Sequence, residues 1–139
     1  MISVVSYSQE YFDGVRLLWE EVFPNDPPWN HADVAIPEKL RIQPELFLIA
    51  LDVERVIGTA MCGYDGHRGW LYSVAVKPEA QRNKIGSLLL NEAEHRLTAM
   101  GCVKINLQIR AGNEAVIAFY RHHGYDVEDR VSMGKRVSA

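Results

Sequence analysis

Val74-Ala75-Val76-Lys77-Pro78-Glu79-Ala80-Gln81-Arg82-Asn83-Lys84-Ile85-Gly86-Ser87-Leu88-Leu89-Leu90 passes from an apolar strand through a polar loop into an amphipathic helix. Pro78 cannot donate to a ladder, so the strand ends before it. Ile85, Leu88, Leu89, Ala93 and Leu97 share one helical face, and Gly101 is suited to the C-terminal turn. A helix that follows a strand so closely leaves its first N–H groups unpaired, where they and the helix dipole favour an anion. Arg82 and Lys84 add two positive charges to the same loop, so the stretch reads as a phosphate cradle. No GK[ST] follows and no GxGxxG is present, which excludes a Walker A loop and a dinucleotide fingerprint.

Working outward, residues 70–76 complete the strand before the cradle, and residues 46–51 and 56–62 form a hairpin around the polar turn 52–55. Residues 2–5 read as a first strand. A helix over 11–23 carries Val15, Leu18, Trp19 and Val22 at helical spacing, and a second over 33–41 is closed by Pro44. Between them lies a turn-rich loop, 24–30, containing Trp29. Beyond the cradle helix come a strand over 104–109, a helix from Asn113 to His123 ended by Gly124, and one or two closing strands over 125–137. The order βααβββαβαββ predicts an α/β fold, a mixed central sheet of six to seven strands with about four helices. No repeat or linker divides it, so a single domain over residues 1–139 is expected.

Composition narrows the function. The 139 residues are 47% hydrophobic and 24% charged, as in ordinary globular chains, and the net charge of -3 gives no attraction for a polyanion. No nucleic acid partner is expected. No apolar run approaches the roughly 20 residues that span a bilayer, and the N-terminus lacks the basic flank and apolar stretch of a signal peptide. No membrane association is therefore expected, and the cytoplasm is the expected location. Cys62 and Cys102 sit in apolar surroundings and read as free thiols. The five histidines show no metal-ligand spacing, and His122 and His123 point to different helix faces, so no metal is expected.

The stretch from Gln81 to Ser87 resembles motif A of the GNAT acetyltransferases, a Q/R-x-x-G-x-G/A loop that cradles the diphosphate of acetyl-coenzyme A. Gln81 and Gly86 match its ends, while Lys84 stands where the family carries the middle glycine. Asn113-Glu114-Ala115-Val116-Ile117-Ala118-Phe119-Tyr120-Arg121-His122-His123-Gly124-Tyr125 resembles motif B, N-x-x-A-x-x-[FL]-Y-x-x-x-G-[FY], throughout its spacing. The segment Gly63-Tyr64-Asp65-Gly66-His67-Arg68-Gly69 resembles the GYDGHRG hairpin of a bacterial subgroup of small single-domain members. With the helical N-terminal third, the resemblance covers nearly the whole chain.

The resemblance implies the GNAT (acyl-CoA N-acyltransferase) fold with acetyl-CoA as cosubstrate, its diphosphate held by Gln81, Arg82, Asn83, Lys84, Ile85, Gly86 and Ser87. It implies a pantetheine arm paired with the backbone of Val74, Ala75 and Val76 between two splayed strands, with Asn113 hydrogen-bonding the cofactor and Phe119 packing against it. Tyr120 matches the family tyrosine that protonates the departing thiolate, and a backbone N–H near Val74 fits the developing oxyanion. Trp70 stands where some relatives carry a glutamate base, which leaves Tyr72, Asp65 and His67 as nearby candidates. Trp29 and the 63–69 hairpin are candidate contacts for the acceptor, a primary amine of a small molecule or protein. Small members of the family are often dimers, so a homodimer is an expectation. A non-catalytic acyl-CoA sensor or assembly module on the same fold is the alternative, motivated by Lys84 and Trp70. A general nucleotide-binding α/β domain is a third reading.

Overall fold

The computed structural model describes residues 1–138, without the side chains of Arg82 and Asn83. They form two compact units, Met1–Gln108 and a second from Ile109 onward. The first contains β1 (Ile2–Ser6), α1 (Phe12–Val22), α2 (Ala32–Arg41), β2 (Phe47–Asp52), β3 (Arg55–Tyr64), β4 (Gly69–Val76), α3 (Ile85–Ala99) and β5 (Ile105–Leu107). Spatial order in the sheet follows chain order. The pairs from β1 to β4 are antiparallel and β4–β5 is parallel, so the sheet is mixed, as expected.

The apolar run 46–51 becomes β2 because it is covered on both faces, and five of its six residues are buried. Phe47 is the centre of the packing. It is fully buried, stacked on Tyr7 with ring centroids 4.7 Å apart and lying 6.0 Å from Trp19 of α1. Val15, Leu18 and Trp19, the periodic positions of α1, join it with Ile36 of α2 and Met61 and Ala75 of the sheet. Ile85, Leu89, Ala93 and Leu97 of α3 are likewise buried. Arg96 ties this helix to the first strands, donating from Nη1 to Ser6 Oγ at 2.6 Å and to Glu45 O at 2.7 Å while Nε bonds Glu92.

Gly14 shows how closely α1 approaches the sheet. A Cβ built there would lie 2.8 Å from Val56 Cγ2 and 3.0 Å from Val56 Cβ. Gly14→Ala gains about 1 kcal/mol of helix propensity, but overpacking against a branched, stiff side chain costs about 1–3 kcal/mol. A net loss of stability is expected, and a urea denaturation midpoint equal to or above the wild type would contradict it.

The second unit holds α4 (Glu114–His122). Asn113 caps it, accepting the Val116 N–H at 3.4 Å through its side chain, and Gly124 with φ +93° takes the left-handed turn that ends it. The closing strands expected over 125–137 are not formed, so among the described residues the sheet has five strands rather than six to seven. Val127, Val131, Met133 and Val137 are all exposed, and apolar residues without a paired neighbour make no ladder. The strand expected over 104–109 is shorter, Ile105–Leu107. The four helices appear as expected. Among the described residues no helix is long and apolar enough to cross a membrane.

Candidate functional site

Strand β4 carries one of two register shifts of the sheet among the described residues, the other lying between β2 and β3. Thr59 pairs with Ala75 and Met61 with Tyr72, so two steps along β3 match three along β4. The extra residue is a bulge, and Ser73 within it has φ +50°. A side-chain-bearing residue in that region costs about 1 kcal/mol or more and is kept only where its surroundings hold it. On the far side, β5 pairs with β4 only at Gly69, Trp70 and Leu71. Among the described residues, β4 then runs on through the bulge to Val76 with no strand on that side. A stretch of main chain beside a bulge is thus left open to an extended ligand.

The same strand leads into the loop read above as a phosphate cradle. Residues Pro78–Asn83 form a 3-10 turn, and Lys84 joins it to α3. The first helical bond of α3 is Leu88 N–H to Lys84 O at 3.1 Å, and no side chain caps the helix. The N–H groups of Ile85 and Gly86 therefore precede the intrahelical ladder, an arrangement that suits a phosphate group. The side chain of Ile85 is fully buried, so only its main chain can face a ligand. Gln81 is exposed, its Nε2 donating to Val76 O at 3.4 Å. Arg82 and Asn83 belong to the 3-10 turn by backbone, and their side chains lie outside the described residues.

Lys84 has φ +59°. The position where the motif has glycine is therefore one that demands a left-handed residue, and lysine adopts it under strain. Lys84→Gly relieves roughly 1 kcal/mol of strain and adds roughly half that in unfolded-state entropy. A small rise in melting temperature is expected, and a clear fall would show that the lysine side chain stabilises this turn.

Val74 and Val76 are half-buried, while Ala75 packs into the core with Trp19. Trp70 and Tyr72 alternate along one face of β4, 39% and 43% exposed. The phenol of Tyr72 is held above its ordinary pKa, first by burial, and Lys39 Nζ lies 5.6 Å from its ring centroid. Lys39 was not a sequence candidate. Its ammonium is buried and donates to Cys62 O, and burial lowers its pKa.

Asp65 is not arranged as a base. Its Oδ1 accepts the N–H of His67 and of Arg68, each at 2.7 Å, and those bonds, Arg68's first, hold its carboxyl below the usual range. Gly66 with φ +89° completes this side-chain-closed turn, and His67 is exposed upon it. Trp29 lies in the 3-10 turn Pro28–Asn30, 48% exposed. A cleft of about 470 Å³ near that turn is lined by Phe12, Trp19, Phe23, His31 and the acidic Glu20, Asp26 and Asp33. Arg16 also lines it and pairs with Glu20 at 3.2 Å, which offsets part of its negative charge.

In the second unit, Tyr120 is 7% exposed, with Phe119 edge-on at 5.1 Å and Tyr125 at 5.6 Å. Burial pushes its phenol up to about 12. The group is a proton donor across the physiological range. Asn113 Oδ1 is engaged at the helix cap.

The Acetyltransferase (GNAT) family matches residues 12–125. An acetyltransferase of Yersinia pestis strain Pestoides F is 38% identical over 131 residues, 94% of this chain and 92% of that protein. Among solved structures, Ard1 from Thermoplasma volcanium superposes with a TM-score of 0.81 at 17% identity, over 91% of this chain and 84% of that one. The PaiA N-acetyltransferase of Thermoplasma acidophilum, solved in complex with coenzyme A, gives a TM-score of 0.79 at 24% identity over 94% and 93%. A family match across most of the chain, a relative above a third identical over its length and an open β4 edge beside a helix start converge: the chain belongs to the GNAT acetyltransferase family.

Proposed function

We propose that this acetyltransferase moves an acetyl group from acetyl-CoA to a primary amine, with residues 1–139 acting as one catalytic domain. The observation that carries the reading is the run of β4 from the bulge to Val76, which among the described residues has no strand on the β5 side and leads through a 3-10 turn to a helix start without a side-chain cap. An acyl-CoA has a matching build, an amide-bearing arm that can pair as a strand and a diphosphate that can take main-chain N–H groups. In this reading Val74, Ala75 and Val76 pair with the arm. The turn from Gln81 to Ser87, with the charges of Arg82 and Lys84, holds the diphosphate. Asn113 and Phe119 are further cofactor contacts.

The amine nitrogen attacks the thioester carbonyl carbon, and the Val74 N–H takes the negative charge that grows on the oxygen. As the C–S bond breaks, Tyr120 gives its proton to the thiolate. His67 remains a candidate to receive the amine proton, through water; Tyr72, whose phenol burial keeps protonated, can only orient that water, and the bonds that hold Asp65 anionic leave it a weak base. The hairpin with Asp65 and His67, the subgroup it resembles, and Trp29 are assigned to the acceptor side. Cytoplasmic location and a homodimer belong to the same proposal.

The test is thiol release from acetyl-CoA over a panel of amines, small and peptidic, beside a direct titration of acetyl-CoA and of ATP. Amine-dependent release with acetyl-CoA preferred over ATP is expected. Tight acetyl-CoA binding without release by any amine would favour the sensor, and equal affinity for the two nucleotides would overturn both.

A further inference from the structure

Trp19 of α1, Thr59 of β3 and Ser73 of β4 are joined by one chain of hydrogen bonds. Trp19 Nε1 donates to Thr59 Oγ1 at 2.9 Å, and Thr59 Oγ1 donates to Ser73 O, also at 2.9 Å. Thr59 is 0% exposed and Trp19 5%. An indole can only donate and a hydroxyl has a single proton, so the direction of this relay is fixed: the indole proton occupies the hydroxyl oxygen and the hydroxyl proton is committed to the Ser73 carbonyl. The relay ends on the residue with φ +50° at the bulge, the one point of β4 where the strand departs from ladder geometry.

A trans peptide is rigid and planar, with its C=O and N–H pointing in opposite directions. The carbonyl of Ser73 and the N–H of Val74 belong to the same peptide unit. When Thr59 holds that carbonyl towards β3, the Val74 N–H is turned away from β3, towards the side of β4 that β5 leaves unpaired. Orientation of the N–H is thereby set from a buried hydroxyl that no ligand can reach.

We propose that Thr59, oriented by Trp19, is a positioning residue for acetyl transfer: it aims the Val74 N–H at the thioester oxygen. This rests on the reading of the Val74 N–H as the oxyanion donor. Such a donor matters only as charge develops, so a disturbed relay lowers kcat and leaves the affinity for acetyl-CoA in place.

The experiment compares Thr59→Val, Thr59→Ser, Trp19→Phe and the Trp19→Phe/Thr59→Val pair with the wild type. Each is measured for kcat with a productive amine, for acetyl-CoA affinity by titration and for melting temperature. Valine matches threonine in shape and lacks the hydroxyl. Thr59→Val is expected to lose at least about tenfold in kcat, a fraction of the 10²–10³ that follows loss of an oxyanion donor, with acetyl-CoA affinity retained. Thr59→Ser restores kcat, because the hydroxyl is back. If the single valine variant does not fold because it strands the indole N–H, the double variant, which removes both partners, carries the same kcat expectation. Wild-type kcat in a folded valine variant, or equal losses in the serine and valine variants, overturns the relay alone. Absence of transfer by the wild type overturns the site reading and this role together.

Discussion

Tyr120→Phe lowers kcat for thiol release by about 100-fold, the usual contribution of a positioned general acid, while acetyl-CoA affinity stays near that of the wild type. The ring survives the substitution, so its edge contacts with Phe119 and Tyr125 are kept and only the proton is lost. Burial raises the phenol to about 12 from an ordinary value near 10. The protonated form is therefore fully present at neutral pH, and no limb of the kcat profile below about pH 10 is assigned to it. The sign for stability follows. The folded chain retains a proton that the unfolded chain releases, so stability falls as pH rises through the window from about 10 to about 12. In Tyr120→Phe that alkaline loss is reduced. A phenylalanine variant with undiminished turnover would remove Tyr120 from the chemistry.

Phe47→Ala is expected to cost about 3–5 kcal/mol, the range for truncating a buried aromatic. The ring is fully buried, with Tyr7 stacked at 4.7 Å and Trp19 at 6.0 Å, so neither neighbour can fill the space without leaving its own contacts. A domain of this kind has only about 5–15 kcal/mol in total. The variant should therefore unfold at a much lower urea midpoint, whereas Phe47→Leu, which keeps most of the volume, should lose clearly less. A loss below about 1 kcal/mol for the alanine variant would mean that the core closes over the gap, contrary to the packing described. Because Trp19 rests on Phe47, any folded alanine variant should also show a weakened bond to Thr59.

Most of the sheet was legible because its strands are apolar runs bounded by turn residues: 46–51 and 56–62 flank a polar turn, and both became buried strands. The last helix was bounded correctly by Asn113 and Gly124, a capping side chain and a left-handed turn. The loop between β4 and α3 was legible in its strand-loop-helix succession, although the left-handed angle of Lys84 became visible only in the backbone. The closing strands over 125–137 did not form because apolar residues become a strand only beside a partner, and their exposed side chains have none to cover. The bulge left no trace in residue type, since Ser73 looks like strand filler and its left-handed angle is imposed by neighbours distant in sequence. Thr59 and Lys39 were missed for a related reason. Each is polar by composition and buried by tertiary contact, with a partner 14 and 23 residues away.

Strand order that repeats chain order has a kinetic consequence. The stretch from Phe47 to Val76 can zip as a local antiparallel meander, closing only short turns. The parallel partner must instead wait for an entire intervening helix to dock. Amide protection during refolding should accordingly appear first in β2, β3 and the early part of β4, and last at Ile105–Leu107. The side of β4 to which the acyl-CoA arm is assigned under the proposed function is then also the side that nascent chains complete last.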